Sequence, residues 1–166
     1  HIFFLKIAKL AKEKSLDLKF IIIGKLPTEK DKYYLSLLNY IKKYDLDKHI
    51  RFSGAIHDIR NIYKQIDILI HPFRFESFGR VYIESMIFKV PLIALSSDAL
   101  NQLVKNGVNG FVVDEEDERL FIEKIILLKN NLRLYNKIAN AAYKYSTTYI
   151  SSKVNANFLN IYKEVI

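Results

Sequence analysis

Cysteine is absent from this chain of 166 residues, and glycine and proline are scarce, at five and three residues. Without cysteine there is no disulfide framework, no thiolate zinc site and no cysteine nucleophile, an absence compatible with the cytosol. No G-x-G-x-x-G follows any predicted strand, which argues against an NAD-dependent dehydrogenase. No apolar run approaches the roughly 20 residues needed to span a bilayer, and no signal peptide is recognisable. Repeats, low-complexity tracts and Gly/Ser linkers are also missing. Charged residues make up only 27% of the chain against 50% hydrophobic ones, so a packed core is expected rather than disorder.

The length suits one domain. His1 in place of Met, followed at once by a helical pattern, implies that the sequence begins inside a longer protein. The net charge of +8 favours acidic partners such as nucleotide phosphates, nucleic acid or anionic lipid. Its lysines are spread along the chain, however, and no helix-turn-helix or aromatic stacking motif supports nucleic acid.

Apolar residues from Ile2 to Ala11 recur at near-helical spacing and break at Ser15. Five short apolar runs follow: 18–23, 50–53, 67–71, 91–95 and 110–113. Helix-like stretches separate them, at 31–43, 59–65, 79–88 and 100–105. Strands apolar on both faces, alternating with helices, imply an α/β Rossmann-like domain with one parallel sheet covered on both sides. Beyond Val113 the pattern is helical only. Asp114 to Asp117 offer N-cap carboxylates for a stripe from Leu120 to Leu128, and two further helices are expected at 133–145 and 152–165. Residues 131–166 thus form a helical tail.

In open α/β sheets, ligands bind beyond the carboxyl ends of the strands. The segment from Ile68 to Glu84 is the richest such edge. A buried strand ends near His71, Pro72 turns the chain, and Gly79 opens the next helix. The amides and helix dipole at Ser77, Phe78, Gly79 and Arg80 form an anion site, and Gly79 lets a phosphate approach the main chain. Glu84 lies five residues on, about 7.5 Å along the helix axis, where a carboxylate can accept from the vicinal hydroxyls of a ribose. Glu76 precedes the helix, on the other side of the phosphate, and can hold the hydroxyls of whatever the diphosphate carries. Arg74 and Arg80 flank the site and can supply positive charge. His71 reads as structural, Gly107 and Gly110 as turn residues, and the Tyr and Phe residues between about 33 and 63 as core or face positions.

The run Pro72…Glu76-Ser77-Phe78-Gly79…Glu84-Ser85-Met86…Val90-Pro91-Leu92-Ile93-Ala94 resembles the signature of glycosyltransferase family 4, two glutamates separated by seven residues with Phe-Gly between them. Phe20 to Gly24, Ile50 to Gly54 and Asn106 to Phe111 are similar to that family's flanking motifs in order and spacing. The resemblance covers about residues 1 to 130 and implies the C-terminal, donor-binding half of a GT-B enzyme. Such an enzyme transfers sugar from a UDP- or GDP-sugar to a glycan or lipid-linked acceptor, with retention and without metal or other cofactor. It implies that Glu76 is the catalytic, sugar-binding residue. Phe78 and Gly79 would present amides to sugar and diphosphate, and Glu84 would bind the ribose. Gly24, Lys25 and Arg51 would border the nucleotide crevice. It also implies that an N-terminal acceptor domain, and a first strand with an Arg and a Lys for the diphosphate, lie outside this sequence. Three positions depart from the family pattern: Lys89 replaces a glycine, Gln102 a glutamate and Phe73 a serine.

Two other readings remain open at this point: a GT-B epimerase or phosphorylase, and a non-enzymatic nucleotide- or nucleic-acid-binding domain. No lysine stands out for the pyridoxal phosphate a phosphorylase would need. The expected location is the cytoplasm, where the positive charge can hold the protein against the inner, anionic face of a membrane.

Overall fold

The computed structural model describes the backbone of residues 1–25, 31–56, 58–75 and 79–165, with side chains as far as 148. Among the described residues, five strands and seven helices follow one another as α1 (Ile2–Glu13), β1 (Phe20–Ile23), α2 (Lys32–Lys43), β2 (Ile50–Gly54), α3 (Ile59–Tyr63), β3 (Leu69–His71), α4 (Arg80–Ile87), β4 (Leu92–Leu95), α5 (Asp98–Leu103), β5 (Phe111–Val113), α6 (Glu118–Asn130) and α7 (Leu132–Val165). Side-chain caps begin five of the described helices, with Asn131 accepting from the Leu134 amide at the start of α7. Asp31 accepts from the Tyr33 and Tyr34 amides, Asp58 from Arg60, Ser97 from Leu100 and Asp117 from Arg119. The Ser97 cap starts α5 two residues earlier than the apolar pattern indicates. The helix then ends before Lys105, whose amide donates to Asn109 Oδ1 at 2.7 Å.

The scarcity of glycine shows at the other helix ends. Ser15, Asp45 and Lys89, with φ of 53°, 50° and 57°, sit in the left-handed region one residue past the C-caps of α1, α2 and α4. In each case the next residue is apolar, and its amide reaches back five residues. Leu16 donates to Ala11, Leu46 to Ile41 and Val90 to Ser85, at 3.0, 2.9 and 2.9 Å. These are Schellman closures, in which glycine usually holds the left-handed position. Asp45 is compensated by an ion pair with Lys12 at 2.8 Å, and Lys89 by its ammonium lying 5.0 Å from the Tyr143 ring centre. We expect Ser15→Gly to raise stability by about 1 kcal/mol, the relief of a side chain held in the left-handed region. A denaturant melt with unchanged slope is the check.

All strand pairing is parallel. The single sheet expected from the sequence is divided, with β1 beside β2 in one sheet and β3-β4-β5 in another. Among the described residues, β1 has no ladder partner on its second edge and neither has β3. Burial follows from this division. Only β4 is buried at every position, whereas Ile21, Ile22 and Ile23 of β1 and all of β3 are half-buried. Burial is thus complete along β4 and partial along the open edges of β1 and β3.

Residues of β4 alternate between two cores, as the period of two demands. Ile93 and Leu95 join Leu5, Ile7, Ala8, Phe121 and Ile125 under α1 and α6. Leu92 and Ala94 join Tyr82 and Met86 of α4, Leu100 and Leu103 of α5 and Ala142 of α7. Helices thus cover both faces in the manner of a Rossmann-like domain. Phe121 anchors the first core, its ring edge-on to Phe3 at 5.5 Å between centroids.

The two helices expected after residue 132 are one, α7. The polar run at 146–148 looks like a break but does not act as one. Ser146 donates its hydroxyl to the Tyr143 carbonyl, and Thr147 and Thr148 donate theirs to Lys144. Hydroxyls bonded to the preceding turn stay compatible with helix.

Candidate functional site

Parallel pairing brings the carboxyl ends of β3, β4 and β5 to one edge, with His71 opposite Ala94 and Leu95 opposite Val113. The polypeptide leaving β3 crosses this edge before entering α4. Arg74 lies on that crossing and donates to the carbonyls of Ser96 and Asp114, the residues directly after β4 and β5. Its guanidinium thus ties three strand ends together, and bonds to neutral carbonyls hold its positive charge at this edge. Phe73 and Phe75 project beside it, 54% and 84% exposed, with ring centroids 5.7 Å apart.

Glu76, Ser77 and Phe78 lie outside the described residues. Gly79 follows them as the N-cap of α4, in the left-handed region at φ 61° and ψ 29°. Glycine is required here for two reasons. A side chain is strained at that φ, and a Cβ would stand 2.6 Å from Cδ2 of Tyr82 and 3.1 Å from Leu103. The Gly79 carbonyl accepts from Tyr82 at 2.9 Å and Ile83 at 3.4 Å. The amides of Arg80 and Val81 precede those bonds, at the positive end of the helix. Tyr82, fully buried, places its hydroxyl 3.0 Å from His71 Nδ1 with the two rings at 88°. His71 is therefore part of the packing that fixes the start of α4.

Glu84 lies one turn further along α4, its side chain 23% exposed. Arg80, 88% exposed, brings Nε to 3.4 Å from Glu84 Oε1. The second carboxylate oxygen is held by a residue assigned from sequence to a core or face role, Tyr63 at the end of α3. Its hydroxyl lies 3.2 Å from Glu84 Oε2 and 3.2 Å from the Val81 carbonyl, to either of which it can donate. The Tyr63 ring is buried and stacks on Phe88 with centroids 5.0 Å apart and planes 6° from parallel. Burial, followed by the charge of Glu84, pushes its phenol well above the usual range, which keeps it protonated and a donor at neutral pH. Linear spacing carries no sign of this contact, because it joins residues of two helices that lie 21 positions apart in sequence.

The other expected site residues lie on or just beyond β1 and β2, the second ladder. Gly24, at the end of β1, donates its amide to the Gly54 carbonyl at the end of β2 at 3.1 Å, so these two ends meet at one edge, and Lys25 beyond them is exposed. Arg51 does not reach that edge. It is the second residue of β2, opposite Ile21, about 10 Å from the strand's carboxyl end at 3.3 Å per residue. Its guanidinium donates to Gln65 at 2.8 Å. In the 106–111 turn the asparagines do structural work. Asn106 Oδ1 accepts from Val112, and buried Asn109 bonds both Lys105 and Leu103. Gly110 is packed close, since a Cβ there would approach Val104 to 2.9 Å.

Comparison with known proteins bears on this geometry. The family model for glycosyl transferases group 1 matches residues 1–145. An uncharacterised glycosyltransferase of Methanocaldococcus jannaschii is 27% identical over 154 residues, covering 92% of this chain and 42% of the relative. The Escherichia coli UDP-Gal:alpha-D-GlcNAc-diphosphoundecaprenol alpha-1,3-galactosyltransferase is 29% identical over 150 residues, covering 84% of this chain and 37% of that enzyme. The crystal structure of the C-terminal domain of a glycosyl transferase group 1 family protein from Francisella tularensis superposes with a TM-score of 0.76. It is 28% identical, and the match covers 88% of this chain and 76% of that one. The chain spans less than half the length of both curated relatives. None of these matches supports an epimerase, phosphorylase or nucleic-acid-binding reading. With the family model spanning all the strands and the whole Gly79–Glu84 region, the chain belongs to the glycosyl transferases group 1 family.

Proposed function

We propose that this chain is the donor-binding domain of a hexosyltransferase that takes its sugar from a nucleoside diphosphate, UDP or GDP. The observation that carries the reading is the start of α4 at the carboxyl edge of the sheet, with Glu84 already oriented one turn along it. The diphosphate lies over the Arg80 and Val81 amides, where helix polarity favours negative charge. Glu84 accepts from the ribose hydroxyls, and Glu76 takes the sugar. Amides and cations at a helix end can stabilise a departing diphosphate without a bound ion, which suits metal-independent transfer with retention. The acceptor is a glycan or a lipid-linked sugar, a class to which the acceptor named for the Escherichia coli relative belongs.

The acceptor is bound mainly by a further, N-terminal domain in this reading. The open edges of β1 and β3, and the half-buried isoleucines along them, suit one more parallel strand from the same protein, connected to β1 through α1 by the usual right-handed crossover. Arg74 keeps its positive charge while bonded to neutral backbone carbonyls, so Arg74 and Arg80 add to the cations expected from that strand and its loop. The charge of +8 suits residence of the whole protein at an anionic cytoplasmic membrane surface, which flotation with anionic liposomes tests.

Calorimetric titration of the full-length protein with UDP, GDP and single-stranded DNA tests the core of the proposal. Saturable binding of one nucleoside diphosphate is expected. Binding of DNA with none of either nucleotide would overturn it.

A further inference from the structure

We infer that Tyr63 is the positioning residue for the ribose subsite, holding the Glu84 carboxylate in its binding orientation before the nucleotide arrives. The inference rests on the reading of Glu84 as the ribose ligand and adds to it a residue outside the motif. A glutamate on a helix surface has several staggered rotamers, and a carboxylate free to move loses that freedom when it binds. Here both oxygens have an intramolecular contact. Tyr63 reaches Oε2 at 3.2 Å, and Arg80 approaches Oε1 at 3.4 Å. A carboxylate offers about four lone-pair positions, so roughly two remain for two vicinal hydroxyls.

The two contacts are unequal. Arg80 is 88% exposed and sits on the same helix, so its contact is screened and mobile. Tyr63 comes from α3, and its ring is buried and stacked on Phe88 at the far end of α4. The hydroxyl therefore has one place to be, next to the Val81 carbonyl and the Glu84 carboxylate. Among the described contacts of Glu84, Tyr63 supplies the one that comes from outside its own helix. It also links the first and last turns of α4, so that the anion site and the ribose ligand share one support.

Tyr63→Phe isolates the effect, since it keeps the ring and the Phe88 stack and removes only the oxygen. The measurement is the affinity of the full-length protein for UDP and for 2′,3′-dideoxy-UDP, and for the guanosine pair if GDP binds more tightly. It is made on wild type, Tyr63→Phe and Glu84→Ala. The ratio of the two affinities reports ribose recognition alone, because partial unfolding lowers both equally. Wild type is expected to prefer the ribose form at least tenfold. Tyr63→Phe should reduce that preference about fivefold, the effect of one typical intramolecular hydrogen bond, and Glu84→Ala should abolish it. If Glu84→Ala abolishes the preference and Tyr63→Phe leaves it at the wild-type value, the role of Tyr63 is overturned and that of Glu84 stands. If Glu84→Ala leaves it unchanged, or neither nucleotide binds wild type, both fall.

Discussion

Gly79→Ala is expected to lower stability by about 3 kcal/mol and to weaken nucleotide binding beyond what that loss explains. Two costs add at this position. A residue with a Cβ is strained by about 1–2 kcal/mol in the left-handed region, and Gly79 has φ 61°. The added methyl would also stand 2.6 Å from the ring of Tyr82, which is fully buried and cannot retreat without disturbing Met86 and Leu100 around it. Overpacking of that kind costs about 1–3 kcal/mol. For a domain of this size the sum corresponds to a fall in Tm of about 6–12 °C. Gly107→Ala is the control. It shares the backbone strain, with φ 73°, but a Cβ there meets nothing within 4 Å, so it should cost only about 1 kcal/mol. The functional component arises because the strain is relieved by moving the start of α4, and with it the amides of Arg80 and Val81. Melts with and without saturating nucleotide separate the two effects. If the nucleotide raises the Tm of Gly79→Ala by as much as it raises that of wild type, the first turn of α4 is not the anion site.

The alternation of strands and helices was legible in the sequence because each element carries a local signal. All five strands appear within two residues of the expected runs, and the acidic caps at Asp31 and Asp117 mark their helices directly. What failed was non-local. Parallel strands with helices on both faces were legible, whereas the division into two ladders was not, because whether β1 and β3 have neighbours depends on strands that no local period reveals. The join inside α7 misled because serine and threonine usually signal a loop, and only the bonds of their hydroxyls to the preceding turn show otherwise. At the site, Gly79 and Glu84 were legible from a motif whose spacing reflects one helix. Tyr63 was not, because its ring looks like any core aromatic and its hydroxyl meets Glu84 only when α3 packs on α4. Arg51 was placed beside the nucleotide crevice from a strand motif alone, and such a motif carries no sign of the bond its guanidinium makes to Gln65 on the segment after α3.

Glu76→Gln in the full-length protein is expected to reduce kcat/KM by at least about 100-fold, or about 2.7 kcal/mol of transition-state stabilisation, with the affinity for the bare nucleoside diphosphate unchanged. Glutamine preserves the size and shape of the side chain and removes its charge. A carboxylate accepts charge-assisted bonds from two sugar hydroxyls, each of which strengthens as positive charge develops at the anomeric carbon and the bond to the diphosphate breaks. An amide offers one weaker acceptor and no opposing charge. The loss should therefore fall mainly on kcat, because the interaction is stronger in the transition state than in the bound donor. Free UDP or GDP carries no sugar and should bind the variant as it binds wild type. A merely structural glutamate would behave differently. Serving the dipole at the start of α4 is worth under about 1 kcal/mol, so its removal would lower Tm slightly and leave turnover by the folded fraction intact. A rise confined to donor KM would instead mean that Glu76 holds the sugar equally in both states and contributes nothing to the chemical step. Unchanged turnover would remove Glu76 from the reaction altogether, leaving Glu84 and the first turn of α4 as a nucleotide site whose catalytic group lies elsewhere.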